Sequence, residues 1–186
     1  MLEVKTLEIS GFVSVLEALR LPFGKECRSR TSFFNQFVAA NNHFLSTSDV
    51  SVDERDLKLM LTLVKRGDEH AKSLRGLIVY ADINAPRFWW QEMDTYRIGT
   101  ERLSSESTMH IQGRGLSTDE LVKMKSELVE GTMQRRVQYF SYQTLRRIYH
   151  QRKDHRLPHW HIFCDWIKTL PYADVLITGE PLCFEH

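Results

Sequence analysis

The sequence predicts a single α+β domain, residues 1–186, in which helices pack on a small, mainly antiparallel sheet. The length of 186 residues is within the range of one domain, and 42% hydrophobic residues can fill one core. Several segments have the one-sided apolar spacing or the capping residues of amphipathic helices. A few short runs have the β-branched and aromatic composition of strands, and many helices with few strands indicate the α+β class.

Local patterns predict one strand and three helices in the first part of the chain. In order, these are the strand 4–9 and the helices 13–21, 34–44 and 53–67. The strand alternates in part between apolar and polar side chains. Pro22 closes the first helix, and Asp53 opens the third, whose apolar side chains recur at three- and four-residue steps until Gly67 stops it. The polar residues 46–53 are expected to form a turn.

The best strand candidate is the segment 74–83, whose mostly apolar composition suits burial on both faces of a sheet. Asn84 is expected to cap the next helix, which has Pro86 near its first turn. We expect the adjacent tryptophans of that helix, Trp89 and Trp90, to lie in the core. Three more helices are predicted at residues 117–128, where Ser117 begins a capping box, at 141–153 and at 158–171.

Composition excludes several classes of protein. The 25 basic and 24 acidic residues nearly cancel, so no overall field draws the chain to nucleic acid or to a membrane. No window approaches the roughly 18 apolar residues of a membrane span, and the first residues lack a signal peptide's apolar run. Cys27, Cys164 and Cys183 are far apart and odd in number, which is typical of unpaired thiols in a reducing cytoplasm.

A local excess of positive charge lies in residues 135–156. The segment contains one acidic residue, Asp154, and seven basic residues, which are Arg135, Arg136, Arg146, Arg147, Arg152, Lys153 and Arg156. On the helix 141–153, Arg152 continues the apolar stripe, and a guanidinium on such a stripe needs an anion to offset its desolvation. Two interpretations stay open, a buried pair with Asp154 or Glu92 and a phosphate or anionic base of a ligand. A nucleic-acid-binding module is a third, which the neutral overall charge disfavours.

Two further segments carry residues of functional type. Residues 97–110 are rich in hydroxyl groups and flanked by arginines, which suits phosphate oxygens, although a solvated loop has the same composition. The second segment contains four possible metal ligands, His155, His159, His161 and Cys164. Pro158 interrupts their helical spacing, so we predict no metal site there.

The order of these features resembles the flavin-dependent thymidylate synthases. That family has a strand, then a helix ending in R-H-R, then seven residues and a serine, and later L-R-x-D-x-H followed by W-E-I. Here residues 95–97 read Thr-Tyr-Arg, and Ser105 follows after seven residues. Residues 151–155 read Gln-Arg-Lys-Asp-His and residues 160–162 read Trp-His-Ile, with one extra residue between the two pieces. The resemblance covers about residues 74–167.

The resemblance implies an enzyme that methylates or otherwise modifies C5 of dUMP or of a related pyrimidine deoxynucleotide. FAD would be its cofactor, methylene-tetrahydrofolate and NADPH its co-substrates, and a homotetramer its assembly, with active sites shared between chains. Arg152 would be the catalytic residue, facing the uracil ring and stabilising negative charge on it. The implied cofactor-binding residues are Tyr96, Arg97, Arg147 and His155, and the implied substrate-binding residues are Glu92, Ser105, Ser107 and Arg152.

This sequence departs from the family pattern at several positions. They are Thr95 and Tyr96 for the first two residues of R-H-R, Gly76 for a histidine of the strand, Ser107 for an arginine, and Arg147 for an amide. Arg102, Arg114 and Arg147 are the candidates to replace the lost phosphate partners. The departures support a second interpretation, a catalytically silent relative that binds a nucleotide or a protein partner.

Overall fold

The computed structural model describes residues 1–26, 30–31, 50–67 and 69–179. Six strands run in chain order: β1 (Glu3–Ser10), β2 (Arg30–Thr31), β3 (Val50–Ser51), β4 (Ile78–Pro86), β5 (Thr100–Ser105) and β6 (Met133–Ser141). The main sheet has the order β1-β4-β6-β5 and is antiparallel throughout, while β2 pairs only with β3. The predicted α+β class and antiparallel sheet are therefore confirmed.

Nine α-helices lie in these described ranges. They are α1 (Phe12–Arg20), α2 (Glu54–Val64), α3 (Ser73–Gly76), α4 (Arg87–Met93), α5 (Thr108–Ile111), α6 (Thr118–Ser126), α7 (Tyr142–Arg152), α8 (Pro158–Lys168) and α9 (Ala173–Leu176). A short 3-10 turn, Leu21–Phe23, follows α1. Within the same ranges, no helix is long and apolar enough to cross a bilayer.

The hydrophobic core lies on one face of the main sheet. Along β4, fully buried Val79, Ala81, Ile83 and Ala85 alternate with half-buried residues on the other face, among them Tyr80. The expectation that this strand is buried on both faces is therefore wrong. An antiparallel sheet can bury one face and keep the other in contact with solvent, which its alternating register allows.

The strand predicted at 74–83 is displaced toward the C-terminus. Its first residues form the short helix α3, and β4 continues through Asn84 to Pro86. Asn84 pairs with Glu3 and Arg135 across the sheet and does not cap α4, so that prediction is wrong. The long antiparallel pairing of β4 with both neighbours outweighs the local preference of Asn for a helix N-terminus.

Six predicted helices are confirmed as α1, α2, α4, α6, α7 and α8, with bounds shifted by a few residues. Their ends follow local chemistry: Asp53 accepts a hydrogen bond from the Arg55 amide at the start of α2. Ser117 and Glu120 form the capping box of α6, as predicted. The predicted helix 34–44 and most of the predicted turn 46–53 lie outside the described residues.

Strands β5 and β6 were not predicted from the sequence. The segment of β5 was expected to be a loop because its side chains are mostly polar. In the structure it is an edge strand of the main sheet, and most of its side chains are exposed. β6 contains two adjacent arginines and two glutamines, which conceal the alternation of a strand. Nine residue pairs between β4 and β6 hold it in place, so tertiary pairing decides its conformation.

Aromatic side chains from α4, α7 and α8 fill the core against the sheet. Trp89 and Trp90 are fully buried, as predicted, and Trp89 packs on Trp160 and Phe163. Tyr142, also fully buried, donates its hydroxyl to the Pro171 carbonyl over 2.9 Å. This bond connects the first turn of α7 with the residues that follow α8.

Replacing Tyr142 with phenylalanine is expected to lower the free energy of unfolding by about 1–2 kcal/mol, because the Pro171 carbonyl loses its donor in a buried place. Urea unfolding of the two proteins measures the difference. Tyr139→Phe is the matched control, since Tyr139 is half-buried on the opposite face of the sheet. Equal losses in both variants would contradict the role of the buried hydrogen bond.

Candidate functional site

The C-terminal end of α7 meets the C-terminal end of α4 around the Arg152 guanidinium. Arg152 Nε donates to the Tyr96 hydroxyl over 2.8 Å, and its Nη1 donates to Glu92 Oε2 over 2.8 Å. The guanidinium carbon lies 4.5 Å from the centroid of the Trp160 ring. The Arg152 side chain is only 18% exposed, which confirms that it continues the apolar stripe of its helix. Of the two open interpretations, the structure contains the ion pair with Glu92.

Glu92 Oε2 is the point on which three side chains converge. Besides Arg152, the Trp160 indole donates to it over 2.9 Å, and His155 Nε2 lies 3.6 Å away. His155 Nδ1 accepts a hydrogen bond from the Leu157 amide, and the other ring nitrogen, Nε2, faces Glu92. Arg152, His155 and Trp160, which belong to the two motif pieces of the resemblance, therefore all contact Glu92.

A cavity of about 380 Å³ opens beside this cluster. It is lined by Thr95, Tyr96, Arg97, Ile98, Arg147, Gln151 and Arg152. The lining has three arginines and no carboxylate, so the cavity suits an anion. Four predicted site residues are brought together here: Tyr96, Arg97, Arg147 and Arg152. Thr95, Ile98 and Gln151 also line the cavity and were not among the predicted site residues, although Thr95 and Gln151 occupy positions of the matched motifs.

The cavity wall is anchored to the N-terminus of α7. The Thr144 hydroxyl donates to the Ile98 carbonyl over 2.6 Å, and the Ser141 amide donates to the Gly99 carbonyl over 2.6 Å. Gly99 has φ +72°, and a Cβ built on it would lie 2.5 Å from both hydroxyl oxygens. A glycine shortly after the R-H-R position is a sequence signal that could have predicted this close approach of the backbone.

Four other predicted site residues do not line this cavity. Ser105 lies in β5 opposite Arg136, and Ser107 immediately precedes α5. Glu92 is hydrogen-bonded to Arg152, and His155 contacts Glu92. The segment 97–110, expected to be one loop, is therefore a cavity wall at its start and a strand and short helix after it.

Basic residues within the segment 135–156 form ion pairs in different parts of the structure. Arg135 pairs with Asp82 on the outer face of the sheet, whereas Arg136 stacks on Trp90 and pairs with Asp94. Burial lowers the pKa of the Arg136 guanidinium, and its hydrogen bond with Asp94 opposes that shift. Because these arginines serve different ion pairs, the stretch does not form one continuous face for nucleic acid.

The possible metal ligands also diverge. His155 contacts Glu92, His159 packs edge-on against Phe88, and His161 is exposed. Among the described residues, no three His, Cys, Asp or Glu side chains are grouped so that they could hold a metal ion. Cys164, the fourth candidate, is buried.

Burial raises the pKa of the Cys164 thiol to about 11, so about one thiol in a thousand is ionised at pH 8. We expect the native wild type and its Cys164→Ala variant to react with the same number of equivalents of a disulfide reagent at pH 8. In guanidinium the wild type should take up one more equivalent than the variant. A difference of one equivalent between the native proteins would show that this thiol is accessible.

A larger groove of about 540 Å³ lies along α6. It is lined by Gln112, Leu116, Glu120, Lys123, Met124, Glu127, Leu128, Val129 and Thr132. Its lining mixes apolar side chains with charges of both signs and contains none of the predicted site residues. The charges that line the smaller cavity all have one sign, which favours a ligand of opposite charge.

Comparison with solved structures identifies proteins whose fold is similar over nearly the whole chain. Two structures of the flavin-dependent thymidylate synthase ThyX from Helicobacter pylori, both with FAD and dUMP, match with a TM-score of 0.63 and 13% identity. The alignments cover 97% and 96% of this chain and 100% and 98% of theirs. The chain has the fold of the flavin-dependent thymidylate synthases. The resemblance inferred from spacing is therefore confirmed at the level of the fold.

The same fold occurs in a UMP/dUMP methylase, PolB from Streptomyces cacaoi, bound with 5-Br dUMP. It matches with a TM-score of 0.57 and 10% identity over 94% of this chain and 91% of that chain. No protein-family model and no curated protein matches the sequence. The likeness to these thymidylate synthase-like proteins thus lies in tertiary structure, at 10–13% identity.

Proposed function

We propose that this protein is a divergent flavin-dependent thymidylate synthase-like enzyme that methylates or otherwise modifies C5 of dUMP or of a related pyrimidine deoxynucleotide. The observation that carries the proposal is the arginine-lined cavity between α4 and α7. It lies in a fold whose solved examples are complexed with FAD and dUMP. In this proposal the protein works in the cytoplasm with methylene-tetrahydrofolate and NADPH as co-substrates.

The cavity fits a mononucleotide in size and charge. Its volume of about 380 Å³ is within the range of small-molecule sites, and its three arginines offer donors to a phosphate or to a uracil carbonyl. Arg152 is the residue we propose to face the uracil ring. Its guanidinium, held by Glu92 and Tyr96, would stabilise negative charge as it develops on the ring.

FAD is the proposed cofactor, and the exposed arginines Arg97 and Arg147 suit its anionic pyrophosphate. Bound flavin would supply the hydride-transfer chemistry. FAD, a dinucleotide, is longer than this one cavity. The resemblance to the flavin-dependent thymidylate synthases implies a homotetramer with shared active sites, and we propose that other chains of such a tetramer complete the site. Ser105 and Ser107, which do not line the cavity of their own chain, would then contact the nucleotide of a neighbouring chain.

The direct test is to purify the protein, record its absorbance spectrum, and assay tritium release from C5-labelled dUMP with FAD, methylene-tetrahydrofolate and NADPH. We expect flavin absorbance bands in the purified protein and tritium release that needs methylene-tetrahydrofolate and NADPH. Omission of each of these two co-substrates is the control. A colourless protein that takes up no FAD and releases no tritium would refute the proposed reaction.

A catalytically silent, nucleotide-binding relative is the second candidate. It is favoured by the loss of two cofactor-contacting residues at Thr95 and Tyr96, and by the internal pairing of Arg152 with Glu92. Calorimetry with dUMP and FAD distinguishes the two candidates when combined with the tritium assay. Binding without turnover supports the silent relative, and binding with turnover eliminates it.

A further inference from the structure

Tyr96 contacts two of the three arginines of the cavity. Its hydroxyl accepts the Arg152 Nε–H bond, and the Arg152 guanidinium carbon lies 5.6 Å from the centre of its ring. The Arg147 guanidinium carbon lies 5.9 Å from the same centre. Tyr96 is itself only 7% exposed, and its ring packs on Trp160, so the core fixes its position. A fixed ring and hydroxyl hold both cations at the cavity wall.

The bonds around Arg152 determine which of its donors stay open. A guanidinium has five N–H donors in one plane. Tyr96 occupies Nε, and Glu92 occupies one donor of Nη1. No hydrogen bond from Nη2 to any described part of the chain occurs, and Arg152 lines the cavity. With two nitrogens held, the plane of the group is set, and Nη2 is left for a ligand.

We infer that Tyr96 is a positioning residue that sets the plane of the Arg152 guanidinium, so that Nη2 is presented to the nucleotide. This inference rests on the proposed function, because it takes the nucleotide as the ligand. It assigns Tyr96 a role through Arg152, whereas the resemblance assigned it to the cofactor. Glu92 holds Nη1 and the Trp160 ring lies against the guanidinium, and the Tyr96 hydroxyl adds the hydrogen bond that fixes Nε.

Two measurements on the 186-residue protein test the inference with wild type and Tyr96→Phe. The first is an NMR spectrum of arginine Nε–H groups, with the Arg152 signal assigned by its loss in Arg152→Lys. We expect a signal protected from exchange with water in wild type and lost in Tyr96→Phe. The second is calorimetric titration with dUMP, in which Tyr96→Phe should weaken the affinity about fivefold, the usual effect of one hydrogen bond.

Two controls separate positioning from stability. Tyr139→Phe removes a hydroxyl on the outer face of the sheet and should leave the Arg152 signal and the dUMP affinity unchanged. Tyr96→Phe keeps the buried ring and loses one hydrogen bond, so its thermal midpoint should fall by only about 2–4 °C. Tyr96→Leu removes the ring as well, releases Arg147 in addition, and should weaken dUMP binding further.

The outcomes separate this inference from the proposed function. A wild-type protein that takes up no dUMP refutes the proposed nucleotide site before any variant is compared. If wild type binds dUMP and Tyr96→Phe binds it equally well, the positioning role is wrong while the site stands. An Arg152 Nε–H signal that is equally protected in Tyr96→Phe also overturns the inference. A fivefold loss together with loss of protection supports it.

Discussion

Replacing Arg152 with alanine is expected to weaken dUMP binding about 100-fold or more and to lower the free energy of unfolding by only about 1–2 kcal/mol. The binding loss follows because a charge-assisted hydrogen bond in a partly desolvated cavity disappears. The stability loss is moderate because Glu92 keeps the Trp160 donor and is itself 32% exposed to water. A fully buried carboxylate that lost its partner would cost more, about 3–5 kcal/mol.

Calorimetry with dUMP and urea unfolding, performed on the same preparations, measure the two effects. Arg156→Ala is the matched control, because Arg156 is an exposed arginine four residues further along the chain. It should change neither quantity measurably. If Arg152→Ala binds dUMP within twofold of wild type and loses more than about 3 kcal/mol of stability, Arg152 is a structural ion-pair partner.

Replacing Gly99 with alanine is expected to lower the free energy of unfolding by about 3–4 kcal/mol. The residue has φ +72°, where an L side chain costs about 1–2 kcal/mol. The new methyl group would also lie 2.5 Å from the Ser141 and Thr144 hydroxyl oxygens. These cannot move away freely, because Ser141 caps α7 and Thr144 holds the Ile98 carbonyl. Overpacking of this kind adds about 1–3 kcal/mol.

The control for Gly99→Ala is Gly115→Ala. Gly115 also has a positive φ, +85°, but a Cβ built there meets nothing within 4 Å. It should lose only the conformational part, about 1–2 kcal/mol. Equal losses at the two positions, measured by urea unfolding, would mean that the α7 N-terminus does not constrain Gly99. Since Gly99 anchors the wall that carries Arg97, its replacement should weaken dUMP binding as well.

Helices with strong local signals could be predicted from the sequence, and strands only in part. The capping box at Ser117 and the apolar stripe of α7 depend on neighbours within four residues, so they are visible in the sequence. β6 is held by β4, which lies far earlier in the chain, and its arginines satisfy Asp82 and Asp94 from other elements. No window of the sequence contains those partners.

The site was predictable to a similar extent. Arg152 was marked by its place on an apolar stripe, and the carboxylate that offsets its charge was one of the two named, Glu92. Tyr96 was identified as the residue in place of a histidine, but its bond to Arg152 was not. The separation of Ser105 from the arginine cavity was also missed, because spacing along the chain does not reveal which face of a strand a residue occupies.

The parts of the candidate site were therefore determined at different levels. The sequence by itself determined that residues 141–153 form a helix with an arginine on its apolar side, because helical periodicity and capping are local. It also determined the order and spacing of motifs that identify the fold. Only the tertiary structure decided that Glu92, Tyr96 and Trp160 surround that arginine, since a buried guanidinium takes its partners from whichever elements pack against it.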